Sequence, residues 1–138
     1  MCGEICNAGA NASQTGDHGN RGDEEFDWTA TGRTEASVAL QLLPWVAMDE
    51  AYGIIDRVID YIKSTNVRYM VGPFETTMEG ELDLLLDIVK KAQHIAIESG
   101  APEVISMVKI SYRPDEAGCA SIASKVAKYR QKEKCIDA

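Results

Sequence analysis

Basic charge is scarce in this chain: 14 lysines and arginines stand against 22 aspartates and glutamates, a formal net charge of -8 over 138 residues. Such a surface repels a phosphate backbone, which excludes a general nucleic-acid role unless a local patch reverses the field, and it suits cationic ligands. Long apolar runs are missing too. No stretch approaches the ~18 residues needed to span a bilayer, and Met1–Ala10 lacks the basic segment followed by an apolar one that marks a secretory signal. The expected setting is the cytoplasm, with thiols reduced and no membrane insertion. Cysteine is sparse, and Cys2, Cys6, Cys119 and Cys135 lie near the two ends and spell no disulfide framework. Cys2 and Cys6 with His18 lack the second half of a zinc site. His94 is the sole histidine of the periodic part and reads as a helix-surface residue. No glycine-rich phosphate loop follows a strand, no serine sits in a nucleophile elbow, and no histidine pair has metal-ligand spacing. No catalytic set and no metal site is predicted.

Hydrophobic residues at 45% and charged residues at 26% fit a soluble globular chain, and the length allows one domain with a tail. Residues 1–34 are rich in Gly, Asn, Ser, Thr and Asp, and Phe26 and Trp28 are their only large aromatic side chains. Six acids against two arginines up to Arg33 give this segment four of the eight net negative charges. It is predicted to be a disordered acidic tail, with a short Phe26/Trp28 docking motif as the alternative. The domain is expected over 35–134, and 135–138 form a C-terminal tail.

Within the domain, Val38, Leu40 and Leu42 alternate with Ser37, Ala39 and Gln41, the period of a strand, over about Ala36–Leu43. Asp49 is a candidate cap for a helix ending near Ser64, with Ala51, Ile54, Ile55, Val58 and Ile62 on one face. Val67–Val71 and Phe74–Glu79 read as a hairpin around Gly72 and Pro73. Glu81 opens a second helix with Leu85, Ile88, Val89, Ala92 and Ala96 in a stripe, stopped by Gly100 and Pro102. Val104–Tyr112 is the last strand, and a helix over Ser121–Lys132 follows the Arg113-Pro114-Asp115 turn. The order βαββαβ, then α, predicts an α+β ferredoxin-like sandwich: a four-stranded antiparallel sheet with two helices on one face and an extra C-terminal helix.

That plan leaves one sheet face to be covered. Ile105 and Met107 alternate with Val104, Ser106 and Val108, so both faces of the last strand carry apolar groups. Sheet-to-sheet homo-oligomerisation is expected; coverage by the third helix within one chain is the alternative. The loop after the first strand, Pro44 to Met48, lacks the phosphate-holding arginine of acylphosphatases of this topology. RNA-recognition domains stack bases on aromatic residues of the central strands, where this chain has Ala39, Gln41, Glu75 and Thr77. The unusual stretch is Val71–Glu81, where Phe74, Thr76 and Met78 alternate with Glu75, Thr77 and Glu79 on a strand expected to be central.

V-A-L-Q-L-L-P at Val38–Pro44, V-R-Y-M-V-G-P at Val67–Pro73, T-T-M-E-G-E at Thr76–Glu81 and K-V-A-K-Y-R at Lys125–Arg130 together resemble the YkoF-like thiamine-binding family, over about Ala36–Arg130. The resemblance implies a protomer that assembles through its sheets into dimers or tetramers and binds thiamine or its hydroxymethylpyrimidine portion without catalysis and without a cofactor. It marks Thr76 and Gln41 as ligand contacts. An aminopyrimidine needs a donor, an acceptor and a flat apolar slot, and thiazolium carries a fixed positive charge. Thr76 or Gln41 can hold the pyrimidine edge, Trp45 or Phe74 can stack, and Glu75 or Glu79 can favour the cation, with Thr77 a further candidate contact. The rival reading is a regulatory ferredoxin-like module binding another small molecule such as an amino acid.

Overall fold

Alternation along Ala36, Val38, Leu40 and Leu42 places all four in the core and turns Ser37, Ala39, Gln41 and Leu43 to the opposite face. In the computed structural model, which describes residues 26–27 and 31–130, that segment is the central strand β2 (Ala36–Pro44), preceded by a two-residue strand β1 (Arg33–Thr34). Then come α1 (Met48–Ser64), β3 (Arg68–Val71), β4 (Thr76–Gly80), α2 (Leu82–Glu98), β5 (Val104–Tyr112), β6 (Cys119–Ala120) and α3 (Ile122–Arg130). The main sheet has the order β3-β4-β2-β5 with every pair antiparallel. That is the ferredoxin-like α+β sandwich the periodicity predicts.

The core lies between one sheet face and the two long helices. Ala51, Ile54, Val58 and Ile62 of α1 and Leu85, Ile88, Ala92 and Ala96 of α2 recur at helical spacing and pack with Val38, Leu40 and Met78. Ile62 and Met78 are fully buried, and each such side chain stabilises the fold by about 1.5–3 kcal/mol relative to exposure. Asp49 does not cap α1. The N-cap is Ala47, which makes no side-chain bond, and Asp49 sits in the first turn, where its charge still complements the helix dipole. The hairpin strand begins at Thr76, not Phe74, because Gly72 N–H closes a turn onto Glu75 O at 2.9 Å. A Cβ at Gly72 would come within 2.9 Å of that same oxygen.

The ordered packing starts upstream of Glu35. Arg33 and Thr34 pair with Ala120 and Cys119, Gly32 donates its N–H to Ser124 Oγ at 3.0 Å, and Ser121 N–H reaches Gly32 O. Gly118 turns the chain into this small ladder at φ +56, where a side chain would also collide with Thr34 O. Phe26 lies under the Arg68 guanidinium at 4.5 Å, and Arg68 Nη2 donates to Asp27 O. Trp28 and the C-terminal tail fall outside the described residues.

Helix α3 crosses the sheet face opposite α1 and α2. It is seated by Glu79, which is 6% exposed and whose Oε1 accepts the Ile122 N–H while Oε2 lies 3.7 Å from Arg68 Nε. Under α3 are Ser37, Ala39 and Glu79, all buried; beyond it Leu43, Ile105 and Met107 stay exposed. The third helix thus covers half the face and leaves an apolar half open. Among the described residues no helix is long and apolar enough to cross a membrane.

Candidate functional site

The strand period that makes β4 also splits the candidate residues. Thr76 pairs with Leu40 and is buried on the helix side; Thr77 pairs with Ala39 on the outer side. Two clefts follow, one on each face.

The inner cleft, about 270 Å³, lies between α1 and the β3–β4 turn. Its floor is apolar, made by Leu40, Leu42, Ile55 and Ile59. Phe74 on the turn and Tyr52 on the first turns of α1 stand at its rim, 80% and 64% exposed, so two aromatic faces are held in water at the mouth of an apolar hollow. Thr76 supplies a hydroxyl to the lining and Asp56 a carboxylate. Glu75 borders this cleft but commits its carboxylate elsewhere: Oε1 accepts from Lys109 Nζ at 2.9 Å.

The outer residues do not join this group. Gln41 pairs in register with Met107 on the half-open outer face, Thr77 and Glu75 line a cleft beneath α3, and Glu79 is occupied by Ile122 and Arg68. Trp45 is 65% exposed in a shallow hollow with Pro44 and Val46, and its backbone N–H donates to Glu103 O. Of the seven predicted contacts, Phe74, Glu75 and Thr76 line the inner cleft together. Sequence reasoning missed Tyr52 and Asp56. They sit one helical turn apart beside the buried stripe of α1, and an aromatic and an acid at i and i+4 on a core-flanking row was the signal available. His94 is exposed on α2, and no cluster of three or more metal-binding side chains occurs among the described residues.

The chain matches the model of a family described as thiamine-binding protein over residues 38–130. It is 53% identical over 94 residues to a UPF0045 protein of Clostridium perfringens, an alignment covering 68% of this chain and 96% of that one. Among solved structures, a domain of unknown function from Bacillus cereus superposes with a TM-score of 0.63 at 42% identity, over 70% of this chain and 91% of the other. A Thermotoga maritima protein described as a candidate for thiamine biosynthesis or salvage superposes with a TM-score of 0.61 at 34% identity, over 69% and 98% of the two chains. The matched span runs from the core of β2 to the last described residue of α3, taking in nearly all of the main sheet, both long helices and the inner cleft, and over that span this chain belongs to the thiamine-binding protein family.

Proposed function

We propose that the protein binds thiamine, or its hydroxymethylpyrimidine portion, in the inner cleft between α1 and the β3–β4 turn, as a non-catalytic cytoplasmic carrier, store or sensor. The observation that carries this reading is the pair of exposed rings, Tyr52 and Phe74, over an apolar floor, with Thr76 and Asp56 as polar groups in the same lining. A flat aminopyrimidine enters the slot edge-first and finds in Thr76 a hydroxyl that both donates and accepts. The thiazolium ring, a permanent cation, is favoured by the aromatic faces and by the Asp56 charge. These groups suit binding and orienting a ligand, and the proposal stops at binding.

Self-association belongs to the same proposal. The exposed Leu43, Ile105 and Met107 form an apolar strip on the outer face, and β5, nine residues long, is an edge strand of the main sheet among the described residues and carries exposed Val108, Ile110 and Tyr112. A second copy laid sheet against sheet would remove that strip from water and give a homodimer, or a tetramer by repetition.

Calorimetry on the full chain against thiamine, hydroxymethylpyrimidine and a panel of amino acids tests the ligand. Saturable binding of either of the first two, weakened in Phe74→Ala and Tyr52→Ala, is the expected result. Amino-acid binding alone, or thiamine binding indifferent to both ring deletions, would reject the assignment, and turnover of the ligand would reject the non-catalytic role.

A further inference from the structure

A second cleft, of about 310 Å³, lies on the other side of the sheet beneath α3, and the thiamine proposal makes no use of it. The central strand creates it. Ser37 and Ala39 are successive outward residues of β2, set in register between Glu79 and Thr77 on one side and Ser111 and Lys109 on the other. Side chains this small leave a hollow between a sheet and the helix crossing it, and Ile122, Lys125 and Val126 of α3 form the roof. The Lys109–Glu75 ion pair joins β5 to the β3–β4 turn and closes one side.

Two properties of the lining point to a ligand. Ser37 is 6% exposed, and its hydroxyl is the one buried side-chain nitrogen or oxygen among the described residues that has no hydrogen-bond partner. A buried hydroxyl is disfavoured unless something bonds to it, so an orphan in the wall of an open hollow marks a position where a ligand atom is wanted. The second property is charge. Lys109 and Lys125 against Glu75 leave the lining net positive in a chain whose net charge is -8. Lys109 is held by Glu75, whereas Lys125 makes no ion pair among the described residues.

We propose that this cleft is a second binding site, for a small ligand that carries an oxyanion, carboxylate or phosphate, on a compact apolar body. The oxyanion takes the Ser37 hydroxyl as donor and the Lys125 ammonium as counter-charge. The body lies against Met70 and Val126. This site and the thiamine cleft open on opposite faces of the sheet and share only Glu75 at their borders.

The test titrates the full chain with phenyl phosphate and with benzoate by calorimetry, with a parallel thiamine titration. At least one probe should bind saturably and more weakly as salt is raised, and the preferred probe distinguishes phosphate from carboxylate. Ser37→Ala should bind that probe about tenfold more weakly while resisting urea at least as well as the parent, because the orphan hydroxyl is gone. Lys125→Gln should lose about fivefold and flatten the salt dependence. Thiamine affinity should be the same in both variants, so failure here and failure of the thiamine proposal are read separately. Absence of binding by either probe at millimolar concentration, or affinities unchanged in both variants, would overturn the proposal.

Discussion

Glu79→Ala removes the carboxylate that seats α3 on the sheet, and its cost follows from two contacts, to Ile122 and to Arg68. The bond from Ile122 N–H to a charged acceptor contributes about 1.5–3 kcal/mol. Its loss also strands the Ile122 amide, on a residue only 4% exposed. The Arg68 ion pair adds less than about 1 kcal/mol, since Arg68 is 29% exposed at its side chain and keeps Asp27 O and the Phe26 ring. A total of about 2–4 kcal/mol is expected, which for a domain of this size lowers Tm by roughly 10–20 °C. Glu79→Gln keeps an acceptor oxygen and should lose only about 1–2 kcal/mol. Urea titrations followed by circular dichroism give the free energies, and amide exchange locates the damage. The α3 amides from Lys125 onward should exchange faster in Glu79→Ala, while those of α1 and α2 open only with global unfolding. A loss within about 0.5 kcal/mol of zero, or a larger loss with α3 exchange unaltered, would refute the role given to this carboxylate.

Thr76→Val keeps the β-branched shape and removes the hydroxyl, so thiamine or hydroxymethylpyrimidine binding should weaken by about 1–3 kcal/mol with the melting curve little changed. Unchanged affinity in calorimetry would make Thr76 a packing residue alone. Gln41→Leu, on the opposite sheet face, should leave thiamine affinity untouched; a loss of binding there would move the pocket to the outer side. Met107→Lys places a charge in the exposed apolar strip and should shift multi-angle light scattering toward the monomer mass, whereas an unchanged mass would locate the interface elsewhere. Deleting residues 1–33 removes Phe26 from Arg68 and Gly32 from Ser121 and Ser124, and should cost about 1–2 kcal/mol in urea while sparing thiamine binding. A stability identical to the full chain would show those contacts to be energetically silent.

Strand and helix periods were legible because each is a local property repeated over many residues. Val104–Tyr112 appears at the predicted bounds, and the apolar stripes of α1 and α2 are the core. Ends were less legible. Asp49 has the chemistry of a cap, yet the helix begins at Met48, because a cap is decided by where the preceding loop delivers the chain. Phe74 has the preference of a strand residue, yet the bond from Gly72 to Glu75 takes it out of the ladder and into the rim of a cleft.

By itself the sequence determined the order of elements, the alternation that divides Thr76 from Thr77, and the excess of negative charge, since all three depend only on residue type and spacing. Which candidates meet was a matter for the tertiary structure. Residues adjacent in a strand point to opposite faces, so Thr76 finds Tyr52 and Asp56 from a helix that begins 28 residues earlier in the chain, while Thr77 finds Lys125 from one that comes long after it. Glu79 shows the same division. Its carboxyl is written in a motif that reads equally well as a ligand contact, and only the placement of α3 against β4 turns it into the acceptor for Ile122.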